Sequence, residues 1–327
     1  MKGRYSVLLV LLVISSVVAV SYSSGCVGGS SGEKNWLELV PSDAVLAVNV
    51  NPKVTTEESF IRALKEAGFY NEYIDDVNTL KEKTGIDINS LERAIFVMES
   101  SDEENSALYA EGKFDVSRIE QAIEKENETS LKRGAYKGVE MYYSDEAKAA
   151  LALTKDYVIV GRRAIVEDMI DLIKGNGQWA KKFSDIGKKL GRGDVVVVAD
   201  YSYFYGSVSK NTEENPKIGS LVSASSAVDY IGIKIDFTSS GYGIEFLLHA
   251  KDLSSAKEIK NDINASLTLA GSWVKRMQNA NISSVVTTLM KSIKVSRDGQ
   301  YVSIKLTLSE DLLESLKGAM ERRTVEW

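Results

Sequence analysis

The chain has one cysteine, one histidine and three prolines in 327 residues. A lone cysteine excludes an internal disulfide and a thiolate metal site, so a folded body must be held by its core. A lone histidine removes the zinc centres that draw three or four ligands from His and Cys. His249 closes the apolar run GIEFLLHA and reads as a strand-end residue. There is no G-x-S-x-G elbow, no Walker A motif and no D-x-[DN]-x-[DN]-G calcium loop. Gly161-Arg162-Arg163 lacks phosphate-loop spacing and reads as a surface turn. No metal or cofactor is expected. Basic excess is also missing: the formal charge is −6, which argues against a nucleic-acid partner. Carboxylates are plentiful, as at Asp75-Asp76, Glu103-Glu104 and Asp168/Asp171, but each pair reads as a solvated face. With 44% hydrophobic and 26% charged residues, the chain has the composition of a folded protein and not of a disordered stalk.

One long apolar run is present, and it lies at the start. Lys2 and Arg4 form a basic flank, residues 6–20 read SVLLVLLVISSVVAV, and the small polar stretch SYSSG leads to Cys26. Basic flank, apolar segment and small residues are the layout of an export signal. The run is shorter than the roughly 20 residues of a stable membrane-spanning helix. Ser23-Ser24-Gly25-Cys26 resembles the lipobox of prokaryotic lipoproteins, although Ser23 stands where bacterial versions usually carry Leu. The resemblance implies that Cys26 is acylated and becomes the mature N-terminus, with the membrane as partner through that lipid. An ordinary cleaved secretory signal and an uncleaved anchor helix are the alternatives. All three place the body outside the cytoplasm, and the lipid reading places it at the outer face of the cytoplasmic membrane. Residues 1–25 are then the signal and residues 26–36, beginning CVGGSSG, a flexible tether. Loss of Lys2 and Arg4 moves the formal charge from −6 to −8.

With so few helix breakers, the body must be read from periodicity. Residues 41–50 form a turn and a buried strand. Helices follow at about 56–67 and 70–84, paired strands at 91–99 and 106–113, and a helix from Asp115, a plausible N-cap. Short strands at 139–143, 149–154 and 157–161 lead into an amphipathic helix at 164–174, closed by Gly175-Asn176-Gly177. The second half repeats this order: a strand at 194–200, a helix-compatible stretch, a hairpin at 230–250, a helix from about 252, a hairpin at 292–308 turning at Asp298-Gly299, and a closing helix at 309–322. This predicts an α+β fold of two similar halves, 37–180 and 181–327, each mostly antiparallel sheet with helices packed on it.

Pro41-Ser-Asp-Ala-Val-Leu-Ala-Val, the segment from Ala107 to Asp115, and Tyr157-Val-Ile-Val-Gly161 leading into a helix resemble a group of uncharacterised exported prokaryotic lipoproteins of archaeal type. The resemblance implies a duplicated α+β surface protein and carries no catalytic residue.

Two further features bear on binding. On an extended chain Tyr201, Tyr203 and Tyr205 share one face, where they could stack on a ligand or simply cover the end of a sheet beside Phe204. Asn127, Asn264 and Asn281 stand in N-x-[ST] acceptor sequences, candidates for glycans in an exported protein. The expected function is a non-catalytic, membrane-tethered surface protein that binds a small ligand or a surface protein. The alternatives are a solute-binding lipoprotein of a transporter, which needs a cleft between the halves, and an exported carbohydrate-active enzyme, which needs two facing carboxylates.

Overall fold

The computed structural model describes residues 35–100, 102, 104–126, 131–203, 227–238, 241–274, 276 and 280–321. Twelve strands form one antiparallel sheet in the order β11-β12-β10-β9-β8-β1-β2-β3-β7-β6-β5-β4. The strands of the first half are β1 (Leu46–Val50), β2 (Arg93–Met98), β3 (Ser106–Glu111), β4 (Lys132–Tyr136), β5 (Val139–Ser144), β6 (Ala149–Leu153) and β7 (Tyr157–Arg162). Those of the second are β8 (Val195–Asp200), β9 (Val228–Thr238), β10 (Gly241–Ala250), β11 (Lys294–Asp298) and β12 (Tyr301–Ser309).

The opening strands of the two halves, β1 and β8, pair antiparallel at the centre, Val48 opposite Val197. Each half then grows outward through its own hairpin, β2-β3 on one side and β9-β10 on the other. The order runs alike on the two sides of the central seam as far as β10-β12-β11 and β3-β7-β6, and the first half adds β5 and β4 at its edge. The expected α+β antiparallel architecture is therefore the observed one, built as a single continuous sheet.

Alternation along the central strands decides how the sheet is covered. In β8, Val196 and Val198 face one layer and Val195 and Ala199 the other. The first layer is α4 (Arg163–Ile173), α5 (Ser184–Leu190) and the 3-10 turns at Trp36–Leu39 and Lys181–Phe183. Its core joins Leu37, Ile165, Met169, Phe183 and Leu190 to Ala47, Ile95, Val198 and Leu247. Residues from both halves meet in this one cluster.

The opposite layer holds α1 (Glu58–Ala67), α2 (Tyr70–Thr84), α3 (Val116–Glu126), α6 (Leu253–Val274), α7 (Ala280–Ser292) and α8 (Glu310–Glu321). Phe60 and Leu64 of α1 and Tyr73 of α2 pack on Val48, Ala199 and Phe237. Ile119 of α3 packs on Ala110 and Leu153, and Ala256 and Ile259 of α6 pack on Ala250 and Val302. Each such fully buried aliphatic or aromatic side chain contributes roughly 1.5–3 kcal/mol of transfer free energy. Among the described residues no helix is long and apolar enough to cross a membrane.

Local signals match the elements they cap. The Asp115 carboxylate accepts from the Arg118 N–H at 3.1 Å at the start of α3, and Gly299 turns the β11-β12 hairpin at φ 59°. Arg163 opens α4 by pairing with Glu167 at 2.8 Å and lying over the Tyr143 ring at 4.3 Å. The expected surface turn does not form: Gly161 and Arg162 are the last residues of β7, Gly161 is buried, and the helix starts directly at Arg163, whose contacts are structural.

Candidate functional site

The described part of the tyrosine segment, residues 201–203, is helical and not extended. Positions two apart on a helix lie about 200° apart, so the expected shared face does not form. Tyr201 packs with Val228, Ala250 and Ala256. Tyr203 packs with the α1–α2 cluster, its hydroxyl 3.6 Å from the Met98 sulfur. The two rings serve two separate cores. Tyr205 lies outside the described residues, as do Cys26 and Asn127. Asn264 sits exposed in mid-α6, and Asn281 is the second residue of α7.

Polar groups gather on the sheet face that carries α4 and α5. Cross-strand register places Lys234, Glu245 and Lys305 side by side on β9, β10 and β12. Glu245, nearly buried, lies 3.1 Å from Lys305 and 3.9 Å from Lys234, and accepts from the Ser303 hydroxyl at 2.8 Å. One carboxylate thus meets two ammonium groups and a hydroxyl, which satisfies it in place. Asp194, at the foot of β8, is 1% exposed. Asn51 donates to its Oδ1 at 2.9 Å, and its Oδ2 has no hydrogen-bond partner. Burial pushes its carboxyl up to about 6, against the Asn51 hydrogen bond and with help from nearby Asp236 and Glu57.

His249 is flanked by Tyr230 and Tyr301, with ring centroids at 5.7 and 4.8 Å. Its Nδ1 is 3.6 Å from an Asp229 carboxylate oxygen, too long for a hydrogen bond. It closes an aromatic stack at the end of β10, where a strand-end histidine was expected. Of the Asp168/Asp171 pair, Asp168 is exposed while Asp171 is tied to Lys137 at 2.6 Å. Among the described residues, no group of three or more His, Cys, Asp or Glu is arranged to hold a metal ion.

The feature that stands apart is the far half of α6. This helix is 22 residues long, about 33 Å. Its first half docks on the sheet through Ala256, Ile259 and Ile263. Beyond that, Ile263, Leu267, Gly271 and Val274 recur at helical spacing and turn inward, while α7 runs back alongside. Gly271 faces α7: a β-carbon there would meet the Met290 methyl at 3.4 Å, an ordinary contact. The Ser283 hydroxyl donates to the Val274 carbonyl at 3.1 Å. Leu269 lies two positions from Leu267 and Gly271, and Trp273 lies between Gly271 and Val274, so both fall off that inward stripe. They are 71% and 65% exposed, with Ala265 and Ala270 exposed beside them. This apolar edge was missed in the sequence because α6 reads as one helix whose charged opening, Lys257, Glu258 and Asp262, is also exposed. The signal was available in the run from Ile263 to Val274, which carries no charge.

No protein-family model matches this chain, and no curated protein does. Among solved structures it is similar to crystal form III of TP0453, at 10% identity and a TM-score of 0.42, covering 89% of this chain and all of that one. Crystal form I of TP0453 gives 10% identity and a TM-score of 0.45 over 88% of this chain and 98% of that one.

Proposed function

We propose that the chain is a non-catalytic, extracytoplasmic surface protein, tethered through a lipid on Cys26 to the outer face of the cytoplasmic membrane, whose body binds a partner. The observation that carries this reading is the exposed edge of α6. Leu269 and Trp273 stand in solvent one helical turn apart and are more exposed than Phe69 and Leu253, the other exposed large apolar residues among those described, and such an apolar patch marks an interaction surface.

The arrangement of the halves favours surface binding over enclosure of a solute. One sheet runs through both, and Ile95, Val198 and Phe183 share one core, whereas a transporter's binding protein closes two lobes around a cleft. The polar groups support a non-catalytic body: Glu245 is held by three cross-strand partners. Tyr201 and Tyr203 serve different cores, which weakens the sugar platform that a carbohydrate enzyme would use. Intact mass with detergent partitioning of the native protein tests the tether. A chain starting at Cys26 with added acyl mass, extracted into detergent, supports it. A water-soluble chain of unmodified mass, or one retaining Met1, refutes it.

A further inference from the structure

The exposed edge of α6 lies within a stretch of unusual charge. Between Asp262 and Asp298 there is no acidic residue and there are five basic ones, Lys275, Arg276, Lys291, Lys294 and Arg297, in a chain of net charge −6. Arg276, Lys291 and Lys294 are exposed; Lys275 lies outside the described residues. Arg276 begins where α6 ends, its N–H donating to the Trp273 carbonyl at 3.0 Å. The apolar edge and an exposed cation therefore occupy the same end of the helical hairpin, while the acids of α6, Glu258 and Asp262, stay in the sheet-docked half.

This is the distribution that an anionic bilayer surface selects. Tryptophan and leucine partition into the interfacial zone. A cation one turn away sits among headgroups, where each basic residue near a negative membrane gains on the order of 1 kcal/mol. An acid in the same position would be repelled, and the run from Ile263 to Arg297 carries none; α8, packed beside α7, presents its exposed acids at Asp311 and Glu314. An apolar protein partner would use Leu269 and Trp273 equally well but gives no reason for the acid-free run around them.

Resting on the proposed tether, we infer that the end of the α6–α7 hairpin docks the body on the membrane, with Trp273 and Leu269 entering the interface and Arg276 meeting anionic headgroups. The chain would then touch the bilayer twice, by its lipid and by this edge, which holds the body down against the membrane instead of leaving it free on its tether. The tether supplies a high effective concentration, so a weak contact suffices.

The test uses the full chain reconstituted into vesicles of phosphatidylcholine with or without phosphatidylglycerol, some carrying brominated acyl chains that quench nearby tryptophan. The account predicts bromolipid quenching that is lost in Trp273→Phe, is stronger with phosphatidylglycerol, and falls by about tenfold in apparent affinity in Leu269→Asp or Arg276→Glu. Equal quenching of wild type and Trp273→Phe overturns it. So does a dimer in detergent that dissociates in Leu269→Asp, because the edge then seats a second copy. The two readings fail separately: an unacylated chain whose Trp273 is still quenched refutes the tether alone, and an acylated chain without that quenching refutes the docking alone.

Discussion

Asn51 and Asp194 join the two halves of the molecule at the foot of the central seam. The Asn51 side chain donates to the Asp194 carboxylate at 2.9 Å, and the Asn51 N–H donates to the Asp194 carbonyl at 2.7 Å. The second carboxylate oxygen is buried without a partner. Asp194 therefore holds its proton up to about pH 6 when folded, against an unfolded value near 4. The folded state binds the extra proton, so stability is greatest below about pH 4 for this group and falls as pH rises through 6.

Asp194→Asn keeps an acceptor for Asn51 and removes the buried charge. It should raise stability at neutral pH by on the order of 2–3 kcal/mol and flatten the pH dependence between about pH 4 and 6. Urea midpoints measured across that range check this. A variant that is less stable at pH 7, or as pH-dependent as the parent, contradicts it.

Gly161, the penultimate residue of β7, has φ 151°, and a β-carbon there would stand 2.3 Å from the Ser106 carbonyl oxygen and 2.5 Å from the Ala107 α-carbon. Both obstacles are backbone of the neighbouring strand and cannot rotate away. Gly161→Ala should cost about 2–4 kcal/mol, read as a lowered denaturation midpoint. Gly138, also at positive φ but with open space around it, should tolerate alanine far better.

One sheet and one shared core imply one cooperative unit. Phe183, fully buried, packs edge-on to Tyr230 and within the cluster that contains Ile95 and Ile165 of the other half. Phe183→Ala should lose roughly 3–5 kcal/mol and shift probes of both halves together. Hydrogen exchange that reports early opening of residues 181–327 alone would contradict this.

Leu269 and Trp273 have little packing to lose. Leu269→Asp or Trp273→Phe should change folding stability by less than about 0.5 kcal/mol, so any loss of vesicle binding in these variants reports the surface and not the fold. A large drop in the melting midpoint would contradict the exposed placement.

Most elements were legible because the apolar residues recur with period two or 3.6 and the turns carry their usual residues. The helix over 70–84 and the strands at 139–143, 149–154 and 157–161 fall within a residue or two of the observed bounds. β4 was not legible. Its sequence, Lys-Arg-Gly-Ala-Tyr, lies on the sheet's edge with an exposed face, so nothing in it alternates. Nor was the place of β7 beside β3, which depends on how the β4–β7 strands fold back and leaves no local trace. The tyrosine triplet misled because a period-two pattern was read on a stretch whose described part is helical. Asp194 reads in the sequence only as the first residue of a strand; that it is buried beside Asn51 follows only from the pairing of residues 143 apart.

Fractionation of producing cells, with Cys26→Ser beside the wild type, tests the lipid tether. Wild-type protein should be found in the membrane fraction, with its body cut by protease added outside, and the serine variant should be released or left with an uncleaved signal and no acyl mass. Acyl-free wild-type protein, or membrane association that Cys26→Ser leaves unchanged with its signal already removed, would contradict it.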